Sequence, residues 1–409
     1  MTETMAASTA TPAAPIADAG WAARLPRRAW TPNRAGRAMA MCFYTPLRRG
    51  GALRLWLRLL LYRYGLGIFA RSVYKLSFLH YAHWTVVRRL PGQRWRQPGY
   101  LLFESNYNGP WHNYIETFSS VVGGGISKIL RTSAGFPGVV PVRAFKDYLE
   151  GHEYVLANYY SAYEGHPEAS ASVITAALDL SARFRRFAAR AGRLGPGEFA
   201  LAYARFLAEA QASLAGTPPR RVPRRWLASR ARNLTVVAPI RPGQVPATTA
   251  ALARHHAALP SPWCPLGDLH LGRWTVLDWA QVAARPGPVQ PLEPPCLLFT
   301  AEIQGRRGPF IRRLVTLTAG AADEVWGGCE GWPGATRPRQ AARFLRRRQV
   351  RSHLFFSAYG RYGPDDVRHA LDGRRRILAF VEQAQGRSPA DQLAAFRRLT
   401  EELRLERGA

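Results

Sequence analysis

One stretch of this sequence is present twice, and the repetition restricts the folds that the chain can adopt. YLLFESNYNG at residues 100–109 aligns with CLLFTAEIQG at 296–305. Two further pairs align at the same offset without a gap: GFPG at 135–138 with GWPG at 331–334, and NYYSAY at 158–163 with LFFSAY at 354–359. Glycine and proline fix loop conformations that other residues avoid. Their shared positions therefore predict two copies of one backbone.

A fourth pair extends the repeat towards the N-terminus. LHYAHWTVV at 79–87 matches LHLGRWTVL at 269–277, at an offset six residues shorter. The difference falls in a proline-rich loop, where insertions cost little free energy. We therefore expect the two copies over residues of about 76–180 and 233–382.

The order of the predicted elements indicates the fold class. In the second copy, hydrophobic periodicity predicts strands at 234–240, 269–278, 296–304 and 352–360, and helices at 245–258, 309–319 and 338–349. This is the β-α-β-β-α-β order of ferredoxin-like domains, with one added helix. We expect an α+β fold of two tandem ferredoxin-like repeats, packed as an intramolecular dimeric α+β barrel with extra helices. The first copy has no clear first strand, and a helix over Leu53–Ala70 is predicted in its place.

The regions outside the repeats complete the predicted domain organisation. The start of the chain is rich in Ala, Pro, Thr and Arg without periodicity, which is typical of disorder. Ser388 begins a helix-start pattern of Ser, Pro and Asp. Five segments follow: 1–45, a disordered basic tail; 46–180, the first repeat with an N-terminal amphipathic helix; 181–232, a basic helical linker; 233–382, the second repeat; and 383–409, the C-terminal helix.

The charge of the chain is strongly positive and unevenly distributed. It has 57 Lys and Arg against 27 Asp and Glu, a formal net charge of +30. Glu3 and Asp18 are the only acidic residues before residue 100. Such a chain attracts anionic lipid, nucleic acid or acidic proteins, although basic segments are also common as plain solvated surface. Nucleic acid is the weaker candidate because the basic segments contain no recognisable reading motif.

The segment from Leu53 to Ala70 is the most hydrophobic in the chain, but arginines interrupt it. It is too short and too charged to span a bilayer. As a helix it presents Trp56, Leu57, Leu60, Leu61 and Tyr64 alongside Arg54, Arg58 and Arg63. That arrangement is typical of a helix lying in a membrane interface, where arginines extend towards the headgroups. The alternative is a helix packed on its own domain.

A histidine and a tryptophan recur at the same positions of both copies. Strand alternation places His80 with Trp84, and His270 with Trp274, on one face of each predicted strand. A repeated histidine can ligate haem iron or act as a base. The alternative is a structural histidine, hydrogen-bonded beside a packed tryptophan.

Polar residues follow the apolar start of the strand at 100–109. Glu104, Asn106 and Asn108 are predicted on one side of this strand. At a loop before a helix they can bind an anion or a substrate carbonyl. They can equally end the strand and cap the helix.

Other chemical motifs are missing from the sequence. Cys42, Cys264, Cys296 and Cys329 have no CxxC spacing and no histidine cluster, so neither a disulfide framework nor a metal site is predicted. There is no Walker loop, no GxGxxG opening a helix, no HExxH and no GxSxG. No signal-peptide core follows the early arginines, which predicts a cytoplasmic protein.

The paired motifs HYAHW, LLFESNYNG, GFPG and YYSAY resemble those of uncharacterised bacterial proteins of the dimeric α+β barrel superfamily. The resemblance covers the first copy well and the second more loosely. It implies a distant similarity to dye-decolorising peroxidases and chlorite dismutase-like proteins, whose tandem ferredoxin-like domains hold haem. The peroxidases carry a GxxDG motif, and SNYNG places Asn108 where that acid stands. An amide cannot take up the proton, so the resemblance does not extend to peroxidase chemistry.

Two functions from different classes follow from these patterns. The first is a haem- or small-ligand-binding barrel, with an oxidoreductase activity, whose site lies near His80, Glu104, Asn106, Asn108 and His270. The second is a noncatalytic scaffold that docks on anionic membrane or another polyanion through the Arg-rich N-terminal segment. The second function adds attachment to a membrane surface to the cytoplasmic location.

Overall fold

The structure is a computed structural model that describes residues 33–64, 72–88, 99–215, 229–278 and 294–405. Within these residues the chain has a mixed α+β fold. The strands are β1 Arg34–Ala35, β2 Ala38–Pro46, β3 Leu79–Val87, β4 Tyr100–Tyr107, β5 Glu153–Tyr154, β6 Asn158–Ser161, β7 Ala231–Pro239, β8 Leu269–Leu277, β9 Cys296–Gln304, β10 Gln349–Val350 and β11 Leu354–Ser357. The helices are α1 Gly51–Arg63, α2 Trp111–Leu130, α3 Val142–His152, α4 Ala171–Ala191, α5 Pro196–Ala215, α6 Val245–Ala257, α7 Arg307–Leu317, α8 Ala319–Trp326, α9 Pro338–Arg347, α10 Pro364–Ala384 and α11 Pro389–Leu405.

The strands form two antiparallel sheets with corresponding orders. The first sheet has the order β1-β2-β4-β3-β11, with β5 also paired to β2, and the second has the order β10-β7-β9-β8-β6. The central strands pair in matching register, since Trp84 lies opposite Phe103 and Trp274 lies opposite Phe299. Every residue of β3, β4 and β8 is buried, because both faces of these strands are covered. This double burial explains why their sequences are apolar runs rather than alternating ones.

Each sheet receives its last strand from the other part of the chain. β5 pairs with β2 of the first sheet, and the chain then crosses to pair β6 with β8 of the second sheet. In the same way, β10 pairs with β7, and β11 crosses to β3 of the first sheet. The backbone amides of Ala157 and His353 donate to the carbonyls of Trp274 and Trp84, so the two crossings end in the same register.

The first sheet begins earlier in the chain than the sequence predicts. Residues 38–46 form β2, which pairs with β4 along its whole length. The expectation of a disordered tail over 1–45 is therefore wrong from residue 34, while residues 1–32 lie outside the described residues. A helix does not replace the missing strand, because α1 follows β2. The sequence AMAMCFYTP did not predict this strand, because alanine and methionine carry little β propensity.

The expected basic linker at 181–232 is a packed part of the fold. α4 packs against α10, and α5 packs against α11. Aromatic side chains fill the space between these four helices, among them Phe184, Phe199, Phe380 and Phe396. Residues 216–228, which include the predicted proline-rich linker, lie outside the described residues. Within the predicted C-terminal segment 383–409, α11 spans Pro389–Leu405, and residues 406–409 lie outside the described residues.

Candidate functional site

Four ionisable side chains meet in the space between the two sheets, and all four are fully buried. These residues, which we call the inter-sheet cluster, are His83 on β3, Glu104 on β4, Arg273 on β8 and Glu302 on β9. His83 Nε2 lies 2.8 Å from Glu104 Oε2, and Arg273 Nη2 lies 2.8 Å from Glu302 Oε1. Arg273 Nε lies 3.7 Å from Glu104 Oε1. One guanidinium therefore connects a carboxylate on each sheet.

Strand alternation positions the cluster. Residues 83, 104, 273 and 302 face the opposite sheet, whereas the intervening Trp84, Phe103, Trp274 and Phe299 face the helices. Arg273 reaches across to the first sheet, where its Nη1 atom donates to the backbone oxygens of Met41 and Ser105 at 3.4 and 3.3 Å. A buried arginine is stable only when its donors are paired in this way.

Neutral polar groups extend the cluster. Thr300 Oγ1 donates to Glu104 Oε2 at 2.7 Å, from the position of β9 that corresponds to Glu104 on β4. Asn106 Oδ1 accepts from the hydroxyl of Tyr159 at 2.8 Å. The predicted common side of Glu104 and Asn106 is therefore confirmed, and it is the side that faces the other sheet.

The two carboxylates of the cluster have opposite pKa shifts. Burial raises the pKa of Glu104, but Arg273, His83 and Thr300 outweigh it and hold that pKa below its ordinary value. Burial raises the pKa of Glu302, and Arg273 does not fully offset it. Burial also disfavours the charged form of Arg273, but Glu302 and Glu104 hold its pKa above the ordinary value. Glu104 is thus the better stabilised anion, because it has three partners while Glu302 mainly shares Arg273.

The two repeated histidines hold in place the exchanged segments, which are β6 and β11, the strands that cross to the other sheet, with the residues that follow them. His80 Nδ1 lies 2.8 Å from the hydroxyl of Tyr359, which follows β11. His270 Nδ1 is hydrogen-bonded in the same way to the hydroxyl of Tyr163, which follows β6. Burial lowers the pKa of His80 and of His270 to about 3, opposed by the side chains of Asn108 and Gln304 respectively. Both rings are therefore neutral near pH 7, which matches the structural alternative.

The predicted common face of each His and Trp pair is wrong. The pairing of β3 with β4 shifts register between Leu79 and Tyr81, and that of β8 with β9 shifts between Leu269 and Leu271. Such a bulge adds one residue and reverses the alternation before it. His80 therefore contacts Tyr359 in the core between the sheets, while Trp84 packs under the helices against Phe103. His270 and Trp274 are separated in the same way.

Asn108 connects segments of the backbone. Its Nδ2 atom donates to the backbone oxygen of Arg37, and its Oδ1 atom accepts from the backbone amide of Ala171, both at 2.8 Å. Ala171 is the first residue of α4, so Asn108 caps this helix from a distance. The helix that Asn108 caps is therefore not the one that follows it in sequence, because α2 begins after Pro110 without a side-chain cap.

Helix α1 has one buried and one exposed apolar face. Leu55 and Leu59 are buried, and Trp56 is half-buried. Leu53, Leu57, Leu61 and Tyr64 are exposed by 57, 46, 51 and 64% of their surface. Arg54 and Arg63 are exposed, and Arg58 is half-buried beside the backbone oxygen of Lys128. Residues 65–70 of the predicted helix lie outside the described residues. No helix among the described residues has the length and apolar composition needed to cross a bilayer.

The residues around the two histidines do not fit a haem group. A haem ligand presents an imidazole nitrogen to an opening that is wide enough for the porphyrin. His80 and His270 are both fully buried, and the rings of Tyr81 and Tyr359 lie 5.5 and 6.0 Å from that of His270. In the described part of the chain, His, Cys, Asp and Glu side chains form no group of three arranged to hold a metal ion.

Sequence reasoning missed Arg273 and His83 as members of the central site. The signal was present, because an acidic residue in a doubly buried strand requires a buried cation. Arg273 interrupts the apolar run LHLGRWTVL and could have been paired with Glu302 or Glu104 on that ground.

The chain was also compared with known proteins. It matches no protein-family model and no curated protein.

Proposed function

We propose that this protein is a noncatalytic scaffold that docks on an anionic membrane surface through α1. The observation that carries the proposal is the exposed apolar face of this helix. Leu53, Leu57, Leu61 and Tyr64 follow one another at helical spacing and lie on the side opposite to the buried Leu55 and Leu59. Exposed apolar faces of this kind are typical of interaction sites.

The charge around α1 favours an anionic partner. Arg54 and Arg63 are exposed beside the apolar face, and no acidic residue occurs between Asp18 and Glu104. On an anionic bilayer the leucines enter the boundary between headgroups and acyl chains while the arginines contact lipid phosphates. A protein surface would need acidic groups matched to each arginine, whereas a lipid surface supplies them everywhere.

The corresponding helix of the second half supports this assignment. α6 follows β7 as α1 follows β2, and it packs on β8 and β6 as α1 packs on β3 and β11. None of its residues is an exposed large hydrophobic residue, and its Arg254 is paired with Glu324. Packing on the sheet therefore does not require leucines on the outer face, and those of α1 need another explanation.

The fold proposed to present α1 is a tandem ferredoxin-like one. The strand orders β5-β2-β4-β3 and β10-β7-β9-β8 correspond to the 4-1-3-2 order of such domains, which supports this assignment and an ancestral duplication. The crossings of β6 and β11 are the contacts expected if two such sheets close as an intramolecular dimeric α+β barrel. A ligand-binding role is less favoured, because the inter-sheet cluster and both repeated histidines are fully buried and the Nδ1 atom of each histidine is bonded to a tyrosine.

Vesicle co-sedimentation tests the proposal. The full chain is mixed with phosphatidylcholine vesicles that contain or lack about a third of phosphatidylserine, at low and high salt. We expect binding to the anionic vesicles, weakened by salt, and a loss of about 2 kcal/mol, roughly thirtyfold, in the Leu57→Ser/Leu61→Ser variant. The matched control is Leu201→Ser/Leu378→Ser, which removes two exposed leucines from α5 and α10.

Three results would contradict the proposal. Equal sedimentation of the wild type with both kinds of vesicle, or equal losses in the two leucine variants, would show that α1 is not the lipid contact. If the wild type sediments with no vesicle and is a dimer that Leu57→Ser/Leu61→Ser makes monomeric, the exposed face binds a second copy of the chain instead. Light scattering after size-exclusion chromatography measures this state.

A further inference from the structure

Five arginines converge near the place where the chain crosses from β10 to β11. We call them the arginine site: Arg63 at the end of α1, Arg88 just after β3, Arg232 on β7, Arg307 at the start of α7, and Arg351 between β10 and β11. Arg307 is half-buried and the other four are exposed. They come from five separate segments, so the fold and not the local sequence brings them together.

Two hydrogen bonds of Asn233 bring the segments of three members of the site together. Arg307 Nε donates at 2.7 Å to the backbone oxygen of Asn233, the residue after Arg232. The side chain of Asn233 is hydrogen-bonded to the hydroxyl of Ser352, the residue after Arg351. Arg307 therefore contacts Asn233 directly, while Arg232 precedes Asn233 in the chain and Arg351 precedes its partner Ser352.

His353 connects the site to the first sheet. Its backbone amide donates to the oxygen of Trp84 at 3.0 Å, and its Nδ1 atom accepts from the amide of Val86 at 3.1 Å. Arg88 follows Val86 by two residues on the same strand end. α1 packs on β3 and β11, which brings Arg63 to the same place.

The charges of this site are not balanced by the protein. Burial lowers the pKa of Arg307, and Arg232, Arg351 and Arg63 lower it further. Burial also lowers the pKa of His353 to about 4, with Arg88 and Arg63 adding to the shift. Within the described ranges, no carboxylate forms an ion pair with any of the five arginines. The undescribed segments that adjoin them in sequence, 65–71, 89–98 and 216–228, contain no acidic residue.

The fold does not require this concentration of charge. The corresponding positions of the other half are Met39 for Arg232, Trp111 for Arg307, Val155 for Arg351 and Asp278 for Arg88. None of these is basic. Arginine at the start of a helix is also unfavourable, because the helix dipole is positive there. A bound anion removes both the repulsion and this cost.

We propose that the arginine site binds a multiply phosphorylated small group. Guanidinium groups pair with phosphate oxygens through two parallel hydrogen bonds, and five of them match an anion with several phosphates better than a single one. The group is either a soluble polyphosphorylated molecule or a lipid headgroup with additional phosphates. This site shares Arg63 with the proposed membrane contact of α1, but its other four arginines lie on other segments, so it does not depend on the exposed leucines.

Calorimetric titration with inositol hexakisphosphate tests the site. The full chain is expected to bind about one equivalent at low salt, and Arg307→Gln/Arg351→Gln is expected to weaken binding at least tenfold. Arg339→Gln/Arg343→Gln, which removes the same charge from the exposed face of α9, is expected to change it less than about twofold. Leu57→Ser/Leu61→Ser should leave it unchanged, which separates this result from failure of the membrane proposal.

Further measurements identify the source of the phosphates and the results that overturn the proposal. Vesicles with about 5% phosphatidylinositol bisphosphate are compared with phosphatidylserine vesicles of equal charge. A headgroup ligand is supported if Arg307→Gln/Arg351→Gln loses binding only to the phosphatidylinositol bisphosphate vesicles. A soluble ligand is supported if the variant loses binding to neither kind of vesicle.

The proposal is overturned by a wild type that does not bind inositol hexakisphosphate, by equal losses in both arginine variants, or by tighter binding of a short oligonucleotide. Circular dichroism checks that each variant folds.

Discussion

The two sheets use corresponding backbone positions, but only some of their side chains agree. Where they agree, as in the bonds of His80 to Tyr359 and of His270 to Tyr163, the side chains attach an exchanged segment to its new sheet. Where they differ, one sheet has His83 and the other Arg273. Side chains that make the same contact in both sheets therefore maintain the fold. Side chains that differ at corresponding positions give the two sheets different charges.

The outer surfaces differ in the same way. α1 exposes leucines where α6 exposes none, and the arginine site has no counterpart in the other half. α1 packs on β3 and β11, and the arginine site combines Arg63 of α1, Arg88 after β3 and Arg351 before β11 with Arg232 and Arg307 from the second sheet and its helix. The two proposed binding surfaces therefore adjoin each other where β11 joins the first sheet.

The largest expected effect on stability comes from removing the cation of the inter-sheet cluster, where the two sheets differ. Arg273→Met leaves Glu104 and Glu302 buried without their shared cation, and we expect it to lower the free energy of unfolding by about 3–5 kcal/mol. His83→Met, the corresponding change on β3, should cost less, because Glu104 keeps Arg273 and Thr300. Urea unfolding at pH 7 measures both. A loss below about 1 kcal/mol in Arg273→Met would contradict the assigned role of the guanidinium.

The two carboxylates of the cluster are expected to change the stability of the protein with opposite pH dependence. The pKa of Glu104 is lowered by folding, so its stabilisation is present above the unfolded pKa and is lost as pH falls through the folded pKa. The pKa of Glu302 is raised, so its contribution is present below the unfolded pKa and is lost as pH rises through the folded pKa.

We therefore expect Glu104→Gln to cost about 2 kcal/mol at pH 7 and less in acid, and Glu302→Gln to cost under about 1 kcal/mol at pH 7. Unfolding curves between pH 4 and pH 8 give both values. The reverse order of costs would mean that Glu302 is the better stabilised anion.

The smallest difference between the halves is expected where their side chains agree. Tyr359→Phe and Tyr163→Phe each remove one buried hydrogen bond to a histidine, at an expected cost of about 1–2 kcal/mol. Because the contacts correspond, the two losses should agree within about 0.5 kcal/mol. A difference above about 1 kcal/mol in thermal unfolding would show that one exchanged segment is held by other contacts.

Much of the fold could be predicted because the pattern of the central strands is strong. The strands around Phe103 and Phe299 and the helices between them follow from hydrophobic periodicity and from the aligned glycines. The exchange of β6 and β11 could not be predicted, since NYYSAY and LFFSAY can pair with either sheet and the choice depends on the path of the chain. The bulge at His80 was equally hidden, because a single extra residue changes the facing without changing the composition.

The candidate site was predicted only in part. Glu104 and Asn106 were recognised, and their common face is correct. Their cation could not be chosen from the sequence alone, because Arg273 stands 169 positions after Glu104 among many arginines. The exposed face of α1 depends on which side of the helix meets β3 and β11, and periodicity does not determine that side when apolar residues surround the helix.

The crossing of β11 also has a consequence for the protein during its synthesis. β3 and β4 leave the ribosome long before residues 354–357, which complete their sheet. Until then the edge of β3 carries unpaired amides and carbonyls, and such an edge can pair with strands of other chains. We expect the nascent chain to depend on chaperones over this interval, and truncated forms ending before residue 354 to aggregate rather than to accumulate as a half-molecule.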